Sequence, residues 1–417
     1  MGRKKGKGTL IGGFKEGGGF MGSSAVPKRV LPHQEDLHRL DAKEASDTLN
    51  VVYTIHDGMK RKAYAPMTRL QDIRKDADIS VRAPGQGQTK LIVTEVRFLE
   101  RYYEEYLRPR KGKELQKARE FKFNGGTYTS AVMYVGASDG HHISQFTQMY
   151  PQTLFVLVDG RAPHYGLARG NFRNLFSIKD TWHGGIEVGS FFEGRVPPKE
   201  GHDPMKREKD TSKYVTGGPG RDIKASGCPV LFISDLRSID TRRMGEEAGD
   251  SAVEEDHATQ ERVLESIRLH CDVKAYMLKF RPPYGYDKSN PTGTRAKGEL
   301  WVQAYAPHSS TEMRIVHTFT RGPADKVERE KYDIQYLEEV MHHINTEERV
   351  KDYFDAGLVR CVVSLIRFNR GDENHVDVMR FKDTVASYNV PTGDIVLVKF
   401  SSPCGGAAYN LDISPFF

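Results

Sequence analysis

Short, nearly continuous apolar runs recur through the middle of the chain and alternate with stretches of helical periodicity. The runs predict buried strands at 131–135, 154–159, 229–235 and 273–280. Apolar residues spaced three and four apart predict helices at 90–107, 140–150 and 254–270. Apolar runs separated by helices are typical of a parallel sheet that helices cover on both faces. We therefore expect an α/β fold of Rossmann-like type with a mostly parallel central sheet.

Composition divides the chain into a core and flanking segments. Residues 1–30 are rich in Gly and Lys and predict a flexible basic arm, and residues 31–85 predict an N-terminal extension that packs on the core. The core is expected at 86–321. It contains a Gly-, Lys- and Pro-rich insertion at 180–226 and a polar segment at 237–253 that we interpret as a mobile loop.

A C-terminal addition is expected at 322–417, packed on the core. Its apolar pattern predicts a helix at 332–344, a strand at 358–368 and a closing strand at 394–400.

The composition is typical of a soluble globular protein. Its 417 residues, 38% hydrophobic and 28% charged, can form one large domain or two ordinary ones. No apolar run approaches the length of a membrane span, and the basic N-terminus lacks the apolar core of a secretory signal. The four cysteines are far apart without CxxC spacing, which argues against a disulfide framework and a zinc module.

Lysine and arginine are concentrated in two places, although the net charge of +6 is modest. One cluster lies at 3–7. The other follows the predicted helix at 90–107 and contains Arg108, Arg110, Lys111, Lys113, Lys117, Arg119 and Lys122. Such clusters bind nucleic-acid phosphates. A solvated surface or a nuclear-import patch is the alternative interpretation.

A glycine-rich turn follows the first predicted strand and reads Gly136-Ala137-Ser138-Asp139-Gly140. Glycine lets the backbone adopt positive φ and approach a ligand, and the N–H groups of the next helix attract carboxylate or phosphate. Asp159 ends the next strand, where an acid receives the ribose hydroxyls of an adenosine cofactor. NAD and S-adenosylmethionine both fit this arrangement, and an ordinary strand–helix turn would look the same.

Four further polar residues suggest the chemistry: Lys90, Asp235, Lys279 and Glu312. Asp235 and Lys279 end predicted strands, at the edge of the sheet where ligands bind. Burial and a nearby like charge both lower the pKa of a lysine. Lys279, beside two carboxylates and a second lysine, can then accept a proton from a ribose 2′-hydroxyl. A buried salt-bridge network that only fixes the strands is the alternative.

Six segments, in order, resemble the cap-specific mRNA 2′-O-methyltransferases of poxviruses. They equally resemble the kinetoplastid relatives that methylate riboses of the hypermethylated spliced-leader cap. The segments lie between roughly residues 84 and 320 and read QGQTKL, YVGASDGHHI, VDGR, ISDLRS, LKFRPPY and APHSSTEMR. Their number and order make the resemblance specific.

The resemblance implies an S-adenosylmethionine-dependent methyltransferase core. In it Lys279 is the general base, Asp235 and Glu312 orient it, and Lys90 lowers its pKa. The implied cofactor contacts are Gln88, Gly136, Ala137, Ser138, Gly140, Asp159, Arg161 and Leu236. The implied cap or RNA contacts are Arg281, Tyr284, His308 and Ser309. The chain departs from the poxvirus pattern near Ser309, where that pattern has a second aromatic ring for the cap base, and in lacking a proline before Gly140.

The expected activity is methyl transfer to the ribose of a cap-proximal nucleotide. The long N-terminal extension and large insertions resemble the kinetoplastid branch and favour the second nucleotide (cap 2). The alternatives are a cap 1 enzyme, a ribose methyltransferase for other RNA, and a non-catalytic RNA-binding processivity subunit. We expect a monomer in the nucleus that binds capped RNA, with other capping enzymes as further candidate partners and no membrane. No metal is expected, because the sulfonium leaving group is already cationic.

Overall fold

The computed structural model describes residues 40–63, 86–138, 140, 142–161, 172–198, 213–237, 246–283, 289–306, 310–320, 326–349, 354–372 and 375–387. Its helices are α1 (Ala42–Val51), α2 (Gln86–Arg101), α3 (Gly112–Lys117), α4 (Ile143–Met149), α5 (Gly185–Phe192), α6 (Gly220–Ser226), α7 (Glu246–Arg268), α8 (Ile334–His343), α9 (Phe354–Arg370) and α10 (Val376–Ser387). Short π-helical turns, Tyr103–Leu107 and Ile344–Glu348, follow α2 and α8.

The strands in the same ranges are β1 (Thr54–Ile55), β2 (Phe121–Phe123), β3 (Gly126–Tyr128), β4 (Ser130–Val135), β5 (Thr153–Asp159), β6 (Leu175–Lys179), β7 (Arg195–Val196), β8 (Val215–Thr216), β9 (Pro229–Ser234), β10 (Asp272–Phe280), β11 (Thr292–Ala296), β12 (Glu299–Trp301), β13 (Met313–Thr318) and β14 (Arg329–Asp333).

An eight-stranded sheet organises the described part of the chain, in the order β6-β5-β4-β9-β10-β13-β12-β1. The first five strands in this order, β6, β5, β4, β9 and β10, run parallel to one another. The strands β13, β12 and β1 extend the sheet in antiparallel pairs. The predicted α/β class with a mostly parallel central sheet is therefore confirmed.

The central strands are covered on both faces. Every residue of β4 is buried, and only the last residue of β5 is partly accessible. Because successive residues of a strand point to opposite faces, complete burial requires packing from both sides. Helices α5, α6 and α7 form one packed group, and α1, α2, α4, α9 and α10 form another. No helix within the described ranges is long and apolar enough to cross a membrane.

The predicted core elements form close to their expected bounds. The four predicted strands correspond to β4, β5, β9 and β10, each within one residue at either end. The helix expected at 90–107 begins earlier, at Gln86, and its last turn is the π-helical one. The helix expected at 332–344 is α8, which begins after Asp333 because that side chain accepts a hydrogen bond from the Tyr336 N–H at 2.9 Å.

The predicted strand at 358–368 is wrong, because this segment lies inside the helix α9. Its β-branched residues suggest a strand, but its buried side chains include Leu358, Val362 and Ile366, spaced four apart, and Val359 and Val363 between them. That spacing places the apolar side chains on one face of a helix. A span of 17 residues is also longer than an ordinary strand.

Two segments expected to be irregular contain regular structure. The predicted loop at 237–253 is wrong from residue 246 onward, where α7 begins. The region 180–226 contains α5, β7, β8 and α6. The strand β6 precedes it and was not predicted, because it is short and mostly half-buried, which leaves a weak apolar signal. The predicted arm at 1–30 and strand at 394–400 lie outside the described residues.

Segments from both sides of the core meet on α2, the helix that carries Lys90. Arg97 of α2 donates to the carbonyl oxygens of Tyr53 and Leu49 at 3.0 and 2.9 Å. Glu100, one turn further on, accepts from two nitrogens of Arg370 in α9, each at 3.0 Å. Because the side chains of Glu100 and Arg370 are almost completely buried, breaking this pair would leave an uncompensated charge. Residues that precede the core and residues that follow it in the sequence therefore both fix the position of α2.

Candidate active site

The carboxyl ends of the parallel strands bring the predicted site residues to one edge of the sheet. Asp159 ends β5, Asp235 directly follows β9, and Lys279 is the penultimate residue of β10. Glu312 directly precedes β13, whose first residue pairs with the last residue of β10. Lys90 lies near the start of α2. Four side chains that are distant in sequence can therefore meet.

These side chains form one ion-paired network. Lys279 Nζ lies 2.9 Å from Asp235 Oδ1 and 3.6 Å from Glu312 Oε2. Lys90 Nζ lies 2.5 Å from the other Glu312 oxygen, Oε1. Glu312 thus bridges the two lysines, one on each carboxylate oxygen. Their side chains are between 7% and 16% exposed, so water screens these charges only weakly.

Two buried residues that sequence reasoning missed complete the network. Arg314, two residues beyond Glu312, places Nη2 2.6 Å from Asp235 Oδ1. The Gln303 amide lies between Glu312 and Arg314: its nitrogen donates to Glu312 Oε1 at 3.0 Å and its oxygen accepts from Arg314 Nε at 2.7 Å. Arg314 had a recognisable signal, because it is a charged residue inside an apolar strand and charged residues are rarely buried without a partner. Gln303 had none.

The network sets the charge of its carboxylates. Burial alone would raise the pKa of Asp235, but Arg314 and Lys279 outweigh it and lower this pKa to about 2. Burial likewise opposes ionisation of Glu312, but Lys279, Lys90 and Arg314 hold its pKa well below the usual range. Burial lowers the pKa of Lys90, and the neighbouring cations Lys279 and Arg314 lower it further, against the attraction of Glu312. Both carboxylates are therefore ionised at neutral pH.

The stability that the Asp235 charge contributes should depend on pH only in the acid range. Its pKa of about 2 in the folded protein lies below the ordinary aspartate value of about 3.9. The contribution is therefore present above the unfolded-state value and is lost as the pH falls through the folded-state value. We expect the difference in unfolding free energy between wild type and Asp235→Asn to be constant between about pH 7 and 5 and to shrink below about pH 4.

Urea unfolding at a series of pH values measures this difference. A difference that already changed between about pH 7 and 5 would contradict the strongly lowered pKa of Asp235.

A small cavity of about 30 Å³ lies between α7 and the end of β10. Lys279, Glu312, Arg281 and His257 are among the residues that line it. Burial and the nearby cations Arg281, Arg329 and Lys279 lower the pKa of His257 to about 3, so its ring is neutral near neutral pH. Lys279 therefore lines a small cavity beside a histidine that carries no charge.

Two arginines line this cavity, and they differ in how exposed their side chains are. Arg281, an expected RNA contact, places Nη2 3.0 Å from Asp250 Oδ1, and its side chain is only 14% exposed. It thus ties the end of β10 to α7. Arg237, which sequence reasoning did not single out, is 54% exposed and places Nη2 3.0 Å from Glu312 Oε2. Arg237 is therefore the more accessible guanidinium for a phosphate at this site.

The glycine turn after β4 is closed by Asp159. The Ser138 N–H donates to Asp159 Oδ2 at 2.7 Å, and the Arg161 N–H donates to Oδ1 at 2.8 Å. Ser138 has a φ of 58°, and Gly136 and Gly140 have φ values of 78° and 66°. Asp159 Oδ1 also accepts from Arg161 Nε at 3.1 Å, whereas Oδ2 keeps a second lone pair that can accept from a ligand hydroxyl. A carboxylate acceptor at this position fits a ribose hydroxyl of an adenosine cofactor.

Gly136 has a reason for being glycine that the sequence did not reveal. A Cβ at this position would lie 2.6 Å from the Leu236 N and Cα atoms, closer than packing allows. The glycine therefore allows the turn after β4 to lie directly against the residues that follow β9. The predicted reason was close approach to a ligand, whereas the structure shows close approach to the backbone beside Asp235. Ala137, next to it, is buried, and Leu236 is half-buried.

A third acidic strand end lies beyond the two predicted ones. Asp180 directly follows β6, and its N–H donates to the Asp159 carbonyl oxygen at 3.0 Å. The Tyr214 hydroxyl donates to Asp180 Oδ2 at 2.5 Å. Asp180 was missed because β6 was missed.

Four of the residues predicted to contact the cofactor or the cap have side chains outside the described part of the structure. Tyr284, His308 and Ser309 lie outside the described residues, so their expected roles at the cap remain predictions. Gln88 belongs to α2 by its backbone. Within the described ranges, no three His, Cys, Asp or Glu side chains come together as metal ligands.

Comparison of the sequence with known proteins finds a viral relative. No protein-family model matches the chain. It is 24% identical over 293 residues to the cap-specific mRNA (nucleoside-2′-O-)-methyltransferase of Fowlpox virus (strain NVSL), covering 68% of this chain and 75% of the viral protein.

Two solved structures are more distantly similar. One is bluetongue virus VP4, described as a multifunctional RNA-capping production line, with a TM-score of 0.35 and 13% identity. The match covers 71% of this chain and 37% of VP4. The other is an antibiotic-related methyltransferase, with a TM-score of 0.19 and 7% identity over 51% of this chain and 96% of that one.

Proposed function

We propose that this chain is an S-adenosylmethionine-dependent methyltransferase that acts on a ribose 2′-hydroxyl near the 5′ cap of an RNA. The observation that carries the proposal is the network in which Glu312 bridges Lys90 and Lys279 while Asp235 contacts Lys279. The similarity to the fowlpox virus enzyme supports the same reaction class.

Lys279 is the proposed general base. Its amine is held by two ionised carboxylates, and Lys279 also lines the cavity beside α7. The network contains four cationic side chains, Lys90, Lys279, Arg314 and Arg237, against the carboxylates Asp235 and Glu312. One lysine can therefore give up its proton without leaving a carboxylate unpaired. A neutral Lys279 amine beside the ribose would accept the proton of the 2′-hydroxyl.

The cofactor is proposed to bind at the turn that Asp159 closes. When bound there, S-adenosylmethionine supplies a methyl group on a cationic sulfonium. Asp159 would accept from its ribose hydroxyls, and the turn from Gly136 to Gly140 would lie beneath it. Because Gly136 packs against Leu236, next to Asp235, the cofactor turn and the proton-accepting network are in direct contact.

Asp159→Ala should weaken binding of the cofactor product S-adenosylhomocysteine about tenfold to a hundredfold, because a charge-assisted hydrogen bond is lost and the Ser138 turn loses its acceptor. Affinity for RNA should not change. Isothermal titration of wild type, Asp159→Ala and the exposed control Asp222→Ala measures this. Equal affinities in the three proteins would mean that the cofactor does not bind at this turn.

The proposed target is the second nucleotide of a spliced-leader type cap, and the proposed compartment is the nucleus. Both follow from the resemblance to the kinetoplastid enzymes. Other capping enzymes are proposed partners on the same ground.

A transfer assay on capped RNAs tests the function and the position together. Each RNA carries a pre-existing 2′-O-methyl group at a single cap-proximal nucleotide, so that the methylated target alone fails to accept label. Loss of transfer only when the second ribose is blocked supports cap 2 activity. Equal transfer to uncapped RNA would instead indicate a ribose methyltransferase for other RNA. If the protein binds RNA but transfers no methyl group to any of these RNAs, the result would favour a non-catalytic RNA-binding subunit.

A further inference from the structure

Near its end, β10 stops pairing with β9 one residue before Lys279, although it still pairs with β13. Parallel pairing between β9 and β10 ends at Ser234 and Leu278. Beyond that point the β9 chain stays with β4, since the Asp235 N–H donates to the Val135 carbonyl oxygen at 3.0 Å. This departure brings the Asp235 carboxylate to the Lys279 amine. It also removes the strand that would otherwise bond the main chain of Lys279.

The side chain of Gln260 in α7 takes the place of that strand. Its amide oxygen accepts from the Lys279 N–H and its amide nitrogen donates to the Lys279 carbonyl oxygen, both at 3.1 Å. Gln260 is 1% exposed, so water does not compete for these bonds. A buried amide that satisfies both main-chain groups of one residue fixes that residue as a paired strand would.

We infer that Gln260 is a positioning residue that holds Lys279 in line with its carboxylate partners, so that α7 sets the geometry of the proposed base. The inference rests on the proposed function and adds to it a residue on a separate element. With Gln260 removed, both main-chain groups of Lys279 would lose this partner, and β10 would pair at this residue only with β13. Small displacements of a catalytic group have large effects on rate.

Other residues of α7 contact the same strand end. Asp250 pairs with the Arg281 guanidinium at 3.0 Å, and the His257 ring lies 5.1 Å from the Phe280 ring between centroids. Asp250, His257 and Gln260 are spaced seven and three residues apart, which places them on one face of the helix. This face therefore contacts three consecutive residues, Lys279 and Phe280 at the end of β10 and Arg281 directly after it.

In the described part of the chain, the charged and titratable groups around Lys279 include Asp235 and Arg237 after β9, Glu312 and Arg314 at β13, Lys90 in α2, Asp256, His257 and Glu261 in α7, Arg281 after β10 and Arg295 in β11. Replacing Gln260 by an uncharged residue changes none of these charges, so a changed reactivity of the Lys279 amine would report a changed position.

The test compares Gln260→Met with a matched control, Gln152→Met. The Gln152 amide bonds the main chain of Arg110 in the same way, accepting from its N–H at 2.8 Å and donating to its carbonyl oxygen at 3.0 Å. Gln152 precedes β5, at the edge of the sheet opposite the site. The two variants therefore remove the same kind of bridge at different places. Gln260→Asn, which is only shorter, serves if Gln260→Met fails to fold.

Two measurements separate positioning from general stability. Steady-state transfer to capped RNA should show kcat lowered about tenfold or more in Gln260→Met, with KM changed about twofold at most. Competitive labelling of Lys279 with acetic anhydride across the alkaline range, followed by mass spectrometry, should show a changed labelling profile, while exposed Lys113 labels as in wild type. Gln152→Met should change neither kcat nor the labelling profile of Lys279.

The outcomes distinguish the inference from the proposed function. If wild type transfers no methyl group, the proposed function fails, and an altered Lys279 labelling profile in Gln260→Met still supports the positioning of this amine. If wild type is active and Gln260→Met keeps both kcat and the labelling profile, the inference is overturned. Equal effects in Gln260→Met and Gln152→Met would also overturn it.

Discussion

Lys279→Met should lower kcat for methyl transfer to capped RNA about a hundredfold to ten-thousandfold, the effect of losing a general base. The variant should fold, because Asp235 keeps Arg314 at 2.6 Å and Glu312 keeps Lys90 at 2.5 Å. Binding of S-adenosylhomocysteine should be unchanged, since Asp159 bonds the turn through Ser138 and Arg161, and Lys279 takes part in neither bond. Single-turnover transfer and isothermal titration measure the two quantities.

Lys274→Met is the matched control for this variant. Lys274 belongs to the same strand and pairs with Asp272 at 2.8 Å, but it lies at the opposite end of β10. The Lys274→Met protein should transfer methyl groups at the wild-type rate. A folded Lys279→Met protein with near-normal turnover would remove Lys279 from the role of base, whatever its contacts.

Glu312→Gln should reduce the free energy of unfolding by about 3–5 kcal/mol, because one partner is removed from a buried ion-paired network. Glu312 is 7% exposed and contacts both lysines as well as Arg237, and Arg314 lies 3.6 Å away. The neutral amide leaves these cations with Asp235 as their remaining carboxylate. The same variant should also lose methyl transfer, since Lys279 loses one of its two orienting partners.

Urea unfolding of three proteins tests this prediction. Glu193→Gln, which removes a 2.6 Å pair with Arg195 between side chains that are 61% and 41% exposed, should cost less than about 1 kcal/mol. Adding Lys90→Met to Glu312→Gln should cost less than the sum of the single changes, because the second change removes a cation that has lost its partner. Equal costs for Glu312→Gln and Glu193→Gln would show that the buried charges are balanced without Glu312.

The sequence was informative about the core strands and less so about the flanking elements. The runs that became β4, β5, β9 and β10 are apolar on both faces, and this local property is visible without knowledge of the fold. The helix α9 was misinterpreted because β-branched residues suit a strand as well as a buried helix face. Burial on one helical face decided between the two, and that depends on what α9 packs against.

The sequence by itself determined the α/β class, the strand ends that carry Asp159, Asp235 and Lys279, and the candidate status of Lys90 and Glu312. Periodicity and apolar runs are local, so they can be read over a few residues. Only the tertiary structure decided that Lys90 and Glu312, 222 residues apart, share a hydrogen bond, and that Gln260 bonds the main chain of Lys279. Contacts between such distant residues depend on how helices pack on the sheet, and no local pattern in the chain encodes them.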